Sequence, residues 1–333
     1  MARAKKAQQK GGVWLLVDKY VGNSNQARAL ARIMGWDHAE EKLLEYSNLA
    51  LLPNFLQVGL SSLDKSTAAL LRGVQEPPKI IVSAGRRAAC VAVALKKLYP
   101  GVKLVQIMGP QCGFHNFSII ILPEHDRKAW VRYPSNVHFH HGAIVHFDPK
   151  NLANAADELR KRLQHKGPYI TLLLGGSTKN TPFTIEQFRE LWAHASACAS
   201  TAGAMLLISS SRRTPPGVLA VLERELRTSQ TPYYYYAYGS PEPNPYLGML
   251  GLADYMMITA DSISMCSECC LTGKPTYIYL PDAIKGSKHW RFAHGLIVSG
   301  QAGRLSNKLT PIAKIGGLTG DGLQKAVSKA LID

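Results

Sequence analysis

No run of apolar residues in this 333-residue chain approaches the roughly 18 that a membrane-spanning helix needs. A cleavable leader is not expected either. Residues 1–10 are basic, but the apolar stretch at 13–17 is short and runs straight into Asp18-Lys19. Cysteine is scarce. Cys90, Cys112, Cys198, Cys266, Cys269 and Cys270 show no framework spacing, which implies reduced thiols in a reducing compartment. Cys266-x-x-Cys269 lacks a second Cys or His pair, and His138 with His140 lacks a third ligand, so no metal site is expected. Acidic residues are few as well. Against 39 Lys and Arg stand 23 Asp and Glu, a net charge of +16.

That charge attracts an acidic partner, whether nucleic acid, anionic lipid or a phosphorylated substrate. Zinc-finger and RNA-recognition signatures are missing, as is a basic stripe interleaved with aromatics, so nucleic acid is the weaker choice. Residues 86–103 hold Arg86, Arg87, Lys96, Lys97 and Lys103 with no acid among them. General solubility charge is the alternative to a phosphate or lipid role.

What is present describes a globular protein: 46% hydrophobic and 19% charged residues, in a chain long enough for two cores. After a basic tail (1–12), short apolar runs predict strands at 13–17, 79–83, 104–108, 118–122 and 143–147, with helices at 27–34 and 88–98. A helix at 152–163 follows, and the alternation restarts. Strands are expected at 169–174, 204–209, 233–238, 255–259 and 277–280, and helices at 184–198, 216–227, 263–272 and 322–332. Thr184-x-x-Gln187 fits a capping box. Alternating strands and helices predict an α/β chain of two Rossmann-like domains, each with a parallel sheet. The N-terminal one spans 13–150, a linker and helix 151–168, and the C-terminal one 169–333, its last helix packing back on the first. Ligands of such sheets sit beyond the carboxyl ends of the strands, and two domains facing each other make a cleft there.

Four segments carry candidate chemistry. Gly175-Gly176-Ser177 joins a strand to a helix, where glycines allow close backbone approach to a phosphate. An ordinary strand–helix turn explains it equally well. Asp261-Ser262-Ile263-Ser264 precedes a helix that carries Glu268. Ser262 is a suitable N-cap, the helix start suits a diphosphate, and Glu268 can accept hydrogen bonds from ribose hydroxyls. Its alternative is a capped helix with a solvated Glu. His125 beside Asp126 can take a proton from an acceptor hydroxyl. Arg86-Arg87 and Arg212-Arg213 follow strand ends, where one Arg of each pair can meet phosphate while the other is solvated or pairs with an acid.

The run Ser262-x-Ser264-Met265-x-Ser267-Glu268 with Gly273-Lys274-Pro275 resembles the donor-binding half of GT-B glycosyltransferases. A wider set resembles the mitochondrial fission (elongated mitochondria) family: Gly22-Asn23-x-x-Gln26, Ser83-x-Gly85-Arg86-Arg87, Pro123-x-His125-Asp126, Gly175-Gly176, Ser211 through Pro215, Asn244-Pro245-Tyr246 and Asp261 through Pro275. The resemblance implies a GT-B-like fold binding a nucleotide-sugar. Gly175, Gly176, Ser177, Ser262 and Ser264 would hold the diphosphate, Glu268 the ribose, Asn244 the nucleobase side, and Arg212 or Arg213 the departing phosphate. Gly22, Asn23, Gln26 and Arg86 fall on the acceptor side, with His125 and Asp126 as base or acceptor clamp. The nucleotide-sugar is a substrate, and no cofactor or metal is expected. Many glycosyltransferases of this fold carry a His in the first Gly-rich loop. Asn23, Asn25 and Gln26 stand there instead, and none is a base near neutral pH. Two readings follow. One is a cytoplasmic glycosyltransferase, peripheral on an acidic membrane face, acting on an envelope or lipid-linked acceptor. The other is a non-catalytic scaffold for a protein partner, as plant members of the family are associated with recruiting a fission dynamin.

Overall fold

The computed structural model describes residues 12–57, 59–111, 113–178, 181–312 and 321–332. The chain divides into two compact units, Met1–His146 with Gly320–Asp333, and Phe147–Thr319.

The first unit opens with β1 (Val13–Val17), whose five side chains are all buried, as suits a strand covered on both faces. There follow α1 (Val21–Ile33), β2 (Glu40–Leu43), α2 (Lys65–Arg72), β3 (Ile80–Ala84), α3 (Arg86–Leu98), β4 (Lys103–Ile107), β5 (Ile119–Pro123) and β6 (Val137–His140). Asp64 caps α2, accepting from the Thr67 amide at 2.7 Å. All strand pairs are parallel, in the order β2-β1-β3-β4-β5-β6, with Val13 opposite Ile80. The order reverses between β1 and β3, which opens a crevice beyond their carboxyl ends.

The second unit runs α4 (Pro149–Leu163), β7 (Tyr169–Leu173), α5 (Ile185–Ala202), β8 (Met205–Ser209), α6 (Pro216–Thr228), β9 (Tyr233–Tyr236), α7 (Tyr246–Leu252), β10 (Tyr255–Thr259), α8 (Ile263–Leu271), β11 (Thr276–Tyr279), α9 (Lys288–Val298) and β12 (Gly303–Arg304). Thr184 and Gln187 form the full capping box of α5. Its sheet is also parallel, ordered β12-β11-β10-β7-β8-β9, with the reversal between β7 and β10. Helices α4 and α7 touch backbone to backbone. A Cβ on Gly248 would lie 2.6 Å from the Ala155 carbonyl oxygen, and one on Gly251 2.6 Å from that of Leu152.

The last helix, α10 (Asp321–Ile332), belongs to the first unit. Leu323, Val327 and Leu331 pack there with Val105, Ile107 and Ile119.

One expected strand is absent. Residues 143–147 are not part of the sheet, whose sixth strand is β6 instead. Ile144 is buried among α1 and β1 residues, and its amide donates to Gln26 Oε1 at 3.1 Å rather than to a strand neighbour. Apolar side chains therefore marked burial here without marking a ladder. No helix among the described residues is long and apolar enough to cross a membrane.

Candidate functional site

At the reversal point of the second sheet, three loops lock together. After β7, the Gly175 amide donates to Thr259 Oγ1 at 2.8 Å, and the Gly176 amide to Asp261 Oδ2 at 2.9 Å. That same Asp261 oxygen receives the Arg213 guanidinium at 2.8 Å. After β8, the hydroxyls of Ser211 and Thr214 both donate to the Gly175 carbonyl, at 3.0 and 2.6 Å. The Ser177 amide donates to the Arg213 carbonyl at 3.2 Å. The glycines are required by this packing. A Cβ on Gly175 would lie 2.1 Å from Asp261 Oδ1, and one on Gly176 2.0 Å from the Arg213 carbonyl oxygen. Of the arginine pair, Arg213 is thus the one tied to an acid, and Arg212 is exposed. Lys179 and Asn180 lie outside the described residues.

Helix α8 starts beside these loops. Ser262 caps it, accepting weakly from the Met265 amide at 3.5 Å, and half-buried Ser264 lies in its first turn. Glu268 lies one turn further, also half-buried, and accepts a hydrogen bond from the Tyr246 hydroxyl. Burial pushes the Glu268 carboxyl above its usual range, and the tyrosine's hydrogen bond opposes that shift. Tyr246 itself is held well above the usual phenol range by burial and by Glu268. Asn244 is exposed and accepts from the Tyr246 amide at 3.0 Å, so it turns the chain that delivers this hydroxyl. Glu268 is therefore a shielded carboxylate with a donor of its own. Cys266, Cys269 and Cys270 are buried under the helix, and burial pushes the Cys270 thiol up to about 12. Protonated thiols are poor ligands. No group of three His, Cys, Asp or Glu suited to a metal occurs among the described residues.

The first unit's reversal point gathers other residues. After β3, Gly85 has φ +82°, and a Cβ there would meet Asn23 Nδ2 at 2.7 Å. Gly22, Asn23 and Gln26 lie in the first turns of α1, where Gln26 holds Ile144. Arg86 donates to the Leu52 carbonyl at 3.2 Å. The sequence reading passed over Asp18, the first residue after β1. It is half-buried, its Oδ1 accepts from the Tyr20 amide at 2.8 Å, and burial raises its pKa. Arg87 stands next to it, donating to the Tyr20 hydroxyl and lying over the rings of Tyr20 at 5.0 Å and Tyr46 at 5.8 Å. The Asp at a strand end was visible in sequence, but its surroundings come from three separate segments. His125 lies half-buried in a 3-10 turn directly after β5, next to exposed Asp126. In the same turn Glu124 pairs with Arg127 at 3.1 Å.

Comparison with known proteins bears on the fold and the family. The profile described as Mitochondrial fission ELM1 matches residues 21–315. Uncharacterized protein RP120 of Rickettsia prowazekii (strain Madrid E) is 33% identical over 315 residues, 86% of this chain and 88% of that protein. The Mitochondrial fission protein ELM1 of Arabidopsis thaliana is 28% identical over 240 residues, 66% of this chain and 54% of that protein. Among solved structures, the UDP-GlcNAc 2-epimerase of Neisseria meningitidis bound to UDP-GlcNAc has a TM-score of 0.55 at 12% identity, covering 96% of this chain and 99% of that one. The Methanocaldococcus jannaschii UDP-GlcNAc 2-epimerase has a TM-score of 0.53 at 11% identity, covering 97% and 92%. At such identity the likeness shows the fold alone, a GT-B-like α/β arrangement shared with these epimerases. With the family profile covering most of its length, the chain belongs to the mitochondrial fission ELM1 family.

Proposed function

We propose that the second unit binds a nucleotide-sugar at the reversal point of its sheet. The observation that carries this is Glu268, a half-buried carboxylate one turn into α8, given a single donor by Tyr246 and left with acceptor capacity for ribose hydroxyls. The N-terminus of α8, with Ser262 and Ser264, offers amides and a partial positive charge to the diphosphate. Arg212, exposed beside it, adds a cation as the phosphate departs. The shared fold supports the reading, since one structural neighbour is bound to UDP-GlcNAc.

Transfer to the hydroxyl of an envelope or lipid-linked acceptor is the activity we assign to this site. The hydroxyl oxygen attacks the sugar's anomeric carbon, the bond to the diphosphate breaks, and a base takes the hydroxyl proton. The chain's positive charge fits work at an acidic membrane face. A non-catalytic scaffold with a protein partner is the second reading. The pairing of Arg213 with Asp261 favours it, because it withdraws one of the two arginines from phosphate.

The test is thermal unfolding with UDP-, GDP-, ADP- and CMP-sugars, with Glu268→Ala alongside. At about 100 times its Kd a ligand adds about 2.7 kcal/mol. A shift with one nucleotide in the native protein, lost in Glu268→Ala, is the expected result. No shift with any of them, from a folded protein, would sink the nucleotide reading and leave the scaffold.

A further inference from the structure

The first unit holds a cavity of about 740 Å³ at the opposite edge of its sheet from Asp18 and Gly85, by the amino ends of β4, β5 and β6. A five-residue strand separates the two edges by about 16 Å. Lys96, Lys103 and Lys329 line the cavity, and no acidic residue does so among the described residues.

Among the described residues these lysines have no carboxylate partner. Lys96 Nζ donates to the Asn116 carbonyl, and Lys103 Nζ to the Leu331 carbonyl at 2.7 Å. Lys329 is exposed and makes no ion pair among the described residues. An ammonium has three donors, so most of this donor capacity is unspent. The carboxyl ends of α3 and α10 reach this edge and contribute about half a negative charge each. Three full cations outweigh them.

The rest of the lining is mixed: Val102, Ile119, Val137, Ala326 and Ala330 are apolar, whereas Ser118, Ser135, Asn136 and His138 are polar. Beside it, Ile332 at the end of α10 is 83% exposed, and Leu98 at the end of α3 is 46% exposed. A soluble phosphate has no use for the apolar part of this wall or for the exposed Leu98 and Ile332, whereas a lipid has an anionic head, a polar glycerol backbone and an apolar body.

We propose that this cavity binds the phosphate headgroup of an acidic membrane lipid, with Lys96, Lys103 and Lys329 around the phosphate and Leu98 and Ile332 entering the interface. Val102, Ile119 and Val137 lie against the glycerol and first acyl carbons. The site rests on the peripheral-membrane part of the proposed function and not on its nucleotide part.

The test is sedimentation of the full chain with vesicles of phosphatidylcholine alone, or with one third phosphatidylglycerol. Two variants of equal net charge are compared, Lys103→Gln/Lys329→Gln and Lys19→Gln/Lys128→Gln, the second pair exposed beyond the carboxyl ends of β1 and β5. Lys329→Glu, at an exposed position, serves if Lys103→Gln disturbs folding. Each lysine near an anionic surface is worth about 1 kcal/mol, so the cavity pair should lose about thirtyfold in binding to the acidic vesicles. The control pair should lose no more than about twofold, since charges beyond a Debye length are screened. Equal losses in both pairs would show a diffuse charge effect and overturn the site. So would loss in Trp130→Ser, an 83% exposed residue of the β5–β6 loop, with none in the lysine variants. Binding of glycerol phosphate without vesicle binding would overturn the lipid assignment. If the native chain ignores acidic vesicles, the membrane reading fails as a whole, whereas the nucleotide shifts test the other unit separately.

Discussion

Adding one methyl group at Gly175 tests whether the three loops are locked as described. Neither Gly175 nor Gly176 has a left-handed backbone, so alanine is excluded there by space alone. In Gly175→Ala the new Cβ falls 2.1 Å from Asp261 Oδ1 and 2.6 Å from its Cγ, so the carboxylate must retreat by at least about 1.3 Å to reach an ordinary contact. Retreat breaks its bonds from the Gly176 amide and Arg213. A charge-assisted bond is worth about 1.5–3 kcal/mol and overpacking about 1–3, so a loss of about 3 kcal/mol is expected. For a unit of this size that lowers Tm by about 6–12 °C. Trimming the obstacle should recover part of it: Gly175→Ala/Asp261→Ala should be more stable than the sum of its single variants by about 1–2 kcal/mol. Gly176→Ala allows no such rescue, because its obstacle is the Arg213 backbone carbonyl. Gly295→Ala, inside α9 with nothing within 4 Å, is the control and should stabilise by about 0.5–1 kcal/mol. Melting curves followed by circular dichroism decide the matter. A Gly175→Ala protein as stable as the native one, or no coupling with Asp261→Ala, would refute the locked-loop account.

Nucleotide affinity should rise with pH through the elevated pKa of Glu268, because the ionised carboxylate is the better acceptor, and Tyr246→Phe should move that midpoint upward by removing a donor to the ionised form; calorimetric titration across pH would show a flat profile if Glu268 is not the ligand. His140 is pushed down to about 4 from 6.5 by burial and by His138 and His141. Between those values the unfolded chain takes the proton and the native fold resists it, so stability is full above pH 6.5 and falls by roughly 2–3 kcal/mol toward pH 4. His140→Gln should narrow the gap between urea midpoints at neutral and acid pH. Thr184→Ala removes half of the α5 capping box and should cost about 1 kcal/mol in the same urea assay, with an unchanged midpoint contradicting the cap.

Much of the fold could be read from local pattern. Runs such as Val13–Val17 and Tyr169–Leu173 are buried on both faces and look alike in sequence and structure. The capping box of α5 needs residues only three apart. Helix α7 was not legible, because Tyr246–Leu252 is seven residues long and holds two glycines, which disfavour an isolated helix. It exists because those glycines admit α4. Residues 143–147 misled for the opposite reason, with strand-like composition but with the Ile144 amide donating to the Gln26 side-chain oxygen instead of a ladder carbonyl. At the site, the sequence marked Glu268 and Ser262 but not their setting. The Tyr246 donor lies 22 residues away, and the Asp261–Arg213 pair joins two different strand ends. Which arginine was engaged depended on that long-range pairing.

The glycine contact between α4 and α7 makes a mechanical linkage. With the Gly248 and Gly251 backbone against the carbonyls of Ala155 and Leu152, and Ala156 and Leu159 packed with Met249 and Leu252, the helices have little room to shift against each other and move as one part. One end of that part is Pro149, just beyond the point where the chain passes into the second unit. The other is Tyr246, whose hydroxyl rests on Glu268. A displacement of α4 is therefore carried through α7 to the Tyr246 hydroxyl and the carboxylate it rests on.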